Sequence, residues 1–230
     1  MGIVSPKYQA VIFDLDGTLL DTIEDIAGAT NRVLEVRGLA PFSIEETKLL
    51  VGDGIDEMVR RTFALRGIGT LSDAEVEVII QEYRREYQAC WRSHSRPYTG
   101  VPELLDELAR RGTKTAVLSN KSHPFTTAMT AELLAGSRFD IVRGALPGVP
   151  LKPDPAPALS IAGELGVPPE ACLFLGDTNI DMKTAAAAGM FAVGALWGFR
   201  TANELLTSGA AALVSSPHEL LKWLWTGGLR

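Results

Sequence analysis

Cysteine is scarce: Cys90 and Cys172 are the only two in 230 residues, and 82 positions separate them. A reducing, cytoplasmic setting is therefore expected, and nothing near the start resembles a secretory signal, because the first apolar stretch is interrupted by Asp14 and Asp16. Cys90 and His94 stand at helical spacing, but no second pair completes a zinc site. Positive charge is also in short supply, with 22 Lys and Arg against 28 Asp and Glu and a net charge of −6. That balance argues against general nucleic-acid binding, so any anionic ligand must be held by local groups. Long apolar runs are missing: the longest uncharged stretch, Thr184 to Phe199, has 16 residues and is divided by Gly189, Gly194 and Gly198. This is shorter than a membrane span, and no membrane association is expected. Internal repeats and low-complexity tracts are absent as well. Asn120-Lys121-Ser122 matches a glycosylation sequon, a pattern common by chance and irrelevant without secretion.

What is present is a 46% hydrophobic chain with ample material for a core. Ala10 to Phe13 reads as a buried parallel strand leading into Asp14-Leu15-Asp16-Gly17-Thr18-Leu19. Two acids one residue apart at the carboxyl end of a strand repel each other unless a cation or a shared proton neutralises them. Side chains alternate along an extended chain, so Asp14 and Asp16 point roughly the same way, and one could attack while the other handles a proton. Taken alone, Asp and Gly here would also suit a capped turn. Three further segments at plausible strand ends carry the other groups that phosphoryl transfer requires: Val117-Leu118-Ser119-Asn120, Lys152-Pro153, and Leu175-Gly176-Asp177-Thr178-Asn179-Ile180-Asp181.

Between residue 20 and about residue 95 strand character disappears. Asp21 to Arg37 is helically periodic and stops at Gly38, while Ser43 with Glu46 and Ser72 with Glu75 form capping-box patterns. Val76, Ile80, Tyr83, Tyr87 and Cys90 draw one apolar stripe, as in the core of a small bundle. From Pro97 onward helix and strand alternate: helix Val101 to Arg111, strand Thr115 to Leu118, helix Pro155 to Leu165, strand Ala171 to Leu175, helix Asp181 to Ala188 and strand Phe191 to Leu196. Such alternation predicts an α/β fold with a doubly wound parallel sheet, its motifs gathered along one edge. Residues 1–19 and 97–230 are expected to form this Rossmann-like core and residues 20–96 an inserted helical cap.

In order and spacing, the four motif segments resemble those of the haloacid dehalogenase-like hydrolase superfamily, over essentially the whole chain. The helical insertion, its position and the Val51-Gly52-Asp53-Gly54 segment look like the phosphoglycolate phosphatase group. Thr99 stands where the family often has proline, a mild departure. The resemblance implies that Asp14 is a nucleophile forming an aspartyl-phosphate. It also implies that Asp14, Asp177 and the Asp16 backbone carbonyl hold Mg2+, with Asp181 nearby or bound through water. Asp16 would be the general acid and base, whose presence speaks for a phosphatase or phosphomutase rather than a dehalogenase. Ser119 and the Asn120 backbone would donate to phosphate oxygens, and Lys152 would offset charge on phosphate and nucleophile. The expected substrate is a small-molecule phosphate ester, with 2-phosphoglycolate first and pyrophosphate or a sugar phosphate as alternatives. Either a monomer or a homodimer is compatible with this reading. The cap, which carries none of these groups, is expected to choose the substrate, its Gly52-Asp53-Gly54 turn serving either to aim backbone N–H groups or simply as a hinge. His123 is expected to be a surface residue at a helix start. A phospho-receiver module would also place a phosphorylatable aspartate on a doubly wound sheet, yet it needs neither Asp16 nor a cap.

Overall fold

The structure, a computed structural model, describes residues 8–226. By internal contacts the chain divides into two units, one formed by the chain up to Leu19 and from Pro97 onward, the other by Leu20–Arg96. In chain order the elements are β1 (Ala10–Phe13), β2 (Leu20–Asp21), α1 (Ile23–Glu35), α2 (Ile44–Leu50), α3 (Ile55–Leu65), α4 (Asp73–Cys90) and β3 (Arg96–Pro97). They continue with α5 (Val101–Arg110), β4 (Lys114–Ser122), α6 (His123–Leu133), β5 (Ile141–Ala145), α7 (Ala156–Leu165) and β6 (Cys172–Gly176). The chain closes with α8 (Asn179–Ala187), β7 (Phe191–Ala195), α9 (Ala202–Thr207), β8 (Ala212–Val214) and α10 (Pro217–Thr226).

The larger unit is an α/β sheet of six strands in the order β5-β4-β1-β6-β7-β8. Every pairing is parallel. Ala10, Val11, Ile12 and Phe13 are each 0% exposed, which explains why β1 is uniformly apolar rather than alternating. On one face Ile12, Leu118 and Phe174 pack with Ala158, Ile161 and Leu165 of α7 and Met182 and Ala185 of α8. The chain winds from β1 to β4 and β5, then returns to the other side of β1 to lay down β6, β7 and β8. The sheet therefore reverses its direction of growth between β1 and β6, where open α/β sheets leave a crevice outside the strand ends. Phe13 is level with Val117 on one neighbour and with Leu175 on the other, so the segments following β1 and β6 emerge beside Ser119 and Asn120 of β4.

Strand β4 runs through Ser122, four residues beyond the expected end at Leu118, so Ser119 and Asn120 belong to the strand itself. The local sequence hid this because Ser, Asn and Lys are not strand formers; pairing with β5, including Ser122 with Ala145, supplies the hydrogen bonds that override propensity.

In the smaller unit α1 packs against α4, and Ile26, Val33 and Leu34 of α1 and Val76, Ile80, Tyr83 and Tyr87 of α4 are all buried. Both expected capping boxes are present, Ser43 with Glu46 and Ser72 with Glu75, each closing reciprocally. Gly52 and Gly54 both adopt left-handed φ values, 130° and 92°, and the carboxylate of Asp53 pairs with Arg61 at 2.6 Å. Asp25 in the first turn of α1 is buried and accepts from the backbone N–H groups of His94 and Ser95 at 3.0 and 2.8 Å, tying the returning chain to that helix. Cys90 and His94 both approach Asp25, the thiol at its carbonyl oxygen and the imidazole at its carboxylate. Among the described residues no helix is long and apolar enough to cross a membrane.

Candidate active site

Asp14 follows β1 and donates its backbone N–H to Leu175 O at 2.9 Å, which locks the acid to the end of β6. Asp177 and Asp181 follow β6, and carboxylate oxygens of Asp14, Asp177 and Asp181 all lie within 4.8 Å of one another. All three residues are buried. Three carboxylates cannot all be charged at such spacing without compensation. Lys152 supplies one positive charge, its Nζ donating to Asp14 Oδ1 at 2.7 Å and to Asp181 Oδ1 at 2.6 Å. Burial alone would depress the Lys152 pKa, but Asp14 and Asp181 outweigh it and hold the ammonium above the usual lysine range. One ammonium against three carboxylates leaves an excess of negative charge. Burial, with Asp181 adding repulsion against the attraction of Lys152, accordingly pushes Asp14 up to about 7. Burial, then Asp181 and Asp14, raise Asp177 well above the ordinary carboxylate range. A buried, all-oxygen donor set with surplus negative charge fits a hard divalent cation, which would relieve the repulsion that the lysine leaves.

The Asp177 carboxylate is held at both oxygens: Thr18 Oγ1 donates to Oδ1 at 3.0 Å and the Phe199 backbone N–H to Oδ2 at 2.8 Å. Thr18 is anchored in turn, because Trp197 Nε1 donates to its carbonyl at 3.0 Å. Two glycines make the approach possible. Gly17 has φ +85°, and a Cβ there would lie 2.3 Å from Asp177 Oδ2; a Cβ on Gly198 would lie 2.2 Å from Asp177 Cβ and 2.5 Å from the Gly17 carbonyl oxygen. Because the Gly198 neighbours are backbone and a side-chain root, they cannot swing aside. Gly198→Ala is therefore expected to displace Asp177, lowering kcat for an aryl phosphate at least ~10-fold with a smaller loss of thermal stability. Steady-state rates and a thermal melt check this, and parental kinetics in the variant would show that the packing around Asp177 is slack.

Asp181 does what its position on α8 suggests and more. Its Oδ2 accepts from Thr178 N at 3.0 Å and Thr178 Oγ1 at 2.7 Å, capping the helix, while Oδ1 is left to Lys152. The side chain of Asn120 braces the lysine from below, donating through Nδ2 to Lys152 O and accepting from Lys152 N, both at 2.9 Å. Ser119 is buried, and its Oγ accepts from Lys121 N at 3.2 Å. The Asp16 side chain stands outside the acidic group of three, its carboxylate 3.0 Å from Lys121 Nζ. His123 is half-buried rather than on the surface, because its Nδ1 accepts from Gly144 N at 3.2 Å as β5 closes on the start of α6.

All seven side chains singled out in the sequence, Asp14, Asp16, Ser119, Asn120, Lys152, Asp177 and Asp181, thus gather at one edge of the sheet of the larger unit. Lys152, however, expected at a strand end, instead lies in the loop between β5, which stops at Ala145, and α7, and is held there by Asn120 rather than by a strand. Thr18, Lys121, Trp197 and Gly198 escaped that reading. Lys121 had one local signal, since it lies two residues after Ser119 on an extended chain and so shares its side.

The family model for haloacid dehalogenase-like hydrolases matches residues 11–195. Among curated proteins, a phosphoglycolate phosphatase of Xylella fastidiosa is 34% identical over 92% of this chain and 91% of its own length. An N-acetylmuramic acid 6-phosphate phosphatase of Pseudomonas aeruginosa is 32% identical over 94% of each. Among solved structures, a predicted phosphoglycolate phosphatase from Haemophilus somnus superposes with a TM-score of 0.82 at 27% identity, covering 94% of this chain and 97% of that one. With motif order, sheet topology and acidic cluster in agreement, the chain belongs to the haloacid dehalogenase-like hydrolases and is a phosphoric monoester hydrolase.

Proposed function

We propose that this hydrolase is a magnesium-dependent phosphatase of small phosphorylated metabolites, acting through an aspartyl-phosphate on Asp14, with 2-phosphoglycolate as its first substrate. The observation that carries the reading is the bridge from Lys152 to both Asp14 and Asp181 inside a buried group of three acids. Asp14, Asp177 and the Asp16 carbonyl would hold Mg2+, which when bound supplies charge neutralisation between the anionic nucleophile and the anionic ester.

A carboxylate oxygen of Asp14 attacks phosphorus and the bond to the leaving oxygen breaks, the electron pair departing with that oxygen. Asp16 delivers a proton to it, releasing the alcohol. Asp16, now a carboxylate, then takes a proton from water as that water attacks the phosphorus of the acyl phosphate, freeing inorganic phosphate and restoring Asp14. Ser119 and the Asn120 N–H bind non-bridging oxygens, and Lys152 offsets their charge while keeping Asp14 oriented.

The substrate assignment draws on the phosphoglycolate phosphatase relative; a sugar phosphate is the second reading, favoured by the Pseudomonas aeruginosa relative. A panel of 2-phosphoglycolate, N-acetylmuramic acid 6-phosphate, simple sugar phosphates and pyrophosphate, read by phosphate release with Mg2+, decides between them. The highest kcat/KM is expected for 2-phosphoglycolate, by at least ~10-fold over the sugar phosphates. A reversed order would replace the substrate while leaving the reaction class in place.

A further inference from the structure

Lys121 enters none of the steps above. Yet its ammonium sits 3.0 Å from each carboxylate oxygen of Asp16, a residue 105 positions away in the chain. Both side chains are only 10% exposed. The backbone that carries this lysine is clamped on each side: its N–H donates to Ser119 Oγ at 3.2 Å and its carbonyl accepts from Thr126 Oγ1 at 3.1 Å. Strand β5 presses on the same segment. A Cβ on Gly144 would fall 2.6 Å from the Lys121 carbonyl oxygen and 2.7 Å from His123 Cα, so the absence of a side chain is what admits β5. The β4–β5 ladder also shifts register between Leu118 and Ser122, an irregularity of the kind that re-aims side chains near active sites.

A lysine left to itself extends into water on a flexible stem. Here the stem is buried and its ammonium reaches both oxygens of one carboxylate, so the plane of that carboxylate is restrained as well as its position. We propose that Lys121 is a positioning residue that orients the Asp16 carboxyl for proton delivery to the leaving oxygen: in the protonated form one carboxyl oxygen keeps the ammonium as donor and the other carries the proton that is transferred. The proposal rests on the reading of Asp16 as the general acid. Its consequence is selective. An alkoxide leaving group needs that proton as its bond breaks, whereas a nitrophenolate departs nearly unaided, and kcat/KM isolates this first transfer from the later hydrolysis.

The test compares K121M, K121R and D16N with the parent enzyme in Mg2+, using the best alkyl ester of the panel and p-nitrophenyl phosphate. K121M is expected to lower kcat/KM for the alkyl ester about 100-fold through kcat, with KM within about twofold, and to lower that for the aryl ester less than about fivefold. K121R, whose guanidinium also reaches two carboxylate oxygens, should recover most of the loss. D16N should show the same preference for the aryl ester, more strongly. Equal losses on both esters in K121M, with D16N still selective, would overturn the role of Lys121 alone. No selectivity in D16N would overturn the reading of Asp16 and this proposal with it. If K121M does not fold by circular dichroism, K121Q and K121R carry the comparison, and parental kinetics in K121Q would reject the proposal.

Discussion

Asp14→Asn is expected to abolish turnover, lowering kcat by about 10⁴-fold or more, while the protein remains folded. Removal of a nucleophile is among the costliest single changes an enzyme can suffer, since binding and electrostatic groups alone retain only a residual rate. The amide matches the carboxylate in shape but has no anionic oxygen to attack phosphorus. The fold should tolerate the change for an electrostatic reason. Asp14 is buried with two other acids and its carboxyl is already pushed up to about 7, so a neutral group there relieves repulsion, while Lys152 keeps its contact with Asp181 at 2.6 Å. Phosphate release, a thermal melt and intact-mass detection of the phosphorylated chain check this together. Residual activity above about 1% of the parent would eliminate Asp14 as nucleophile.

Removal of divalent metal should have an effect of comparable size, and it should be reversible. With Lys152 as the only cation paired to Asp14 and Asp181 among the described contacts, EDTA-treated enzyme would face the substrate phosphate with uncompensated carboxylates. Activity should fall at least ~10³-fold and return on addition of Mg2+. The same electrostatics give a readout that needs no substrate. Raised carboxyl pKa values mean that Asp14 and Asp177 hold more protons in the folded, metal-free protein than in the unfolded chain between about pH 4 and pH 7, so their contribution to stability decreases as pH rises through that window. Mg2+ competes with those protons. Its apparent affinity, followed by the shift in Tm on titration, should therefore weaken as pH falls from 8 to 6, by up to about tenfold per pH unit for each proton displaced. Full activity after chelation, or an Mg2+-induced Tm shift independent of pH, would show that the three acids do not form the metal site. Asp177→Asn should reduce the Mg2+ response in both measurements.

The acids at the ends of β1 and β6 were legible because each motif is local. An apolar run followed by Asp-x-Asp-Gly-Thr, or by Gly-Asp with a second acid one helical turn on, places its acids at a strand end without knowledge of any other segment. The α/β fold class followed from the alternation of two periodicities along the chain, and both capping boxes from four-residue patterns that the structure reproduces. Strand β4 was read four residues short because its end is held by pairing with β5 rather than by its own residues. Asp181, expected beside the metal-binding acids, lies among them and also caps its own helix, with one oxygen for Lys152 and the other for Thr178.

What the sequence by itself determined was that acids follow the ends of β1 and β6, since that depends on neighbours within a few positions. Only the tertiary structure decided how those residues are supported: Asn120 bracing the backbone of Lys152 from 32 residues away, Trp197 anchoring Thr18 across 179, and Lys121 gripping Asp16 across 105. The physical reason is the strand order. Winding β4 and β6 onto opposite sides of β1 brings distant strand ends within a few ångströms, and glycines at 17, 144 and 198 permit approaches that any side chain would block. No periodicity or local propensity encodes such contacts, because their partners meet through the sheet and not along the chain.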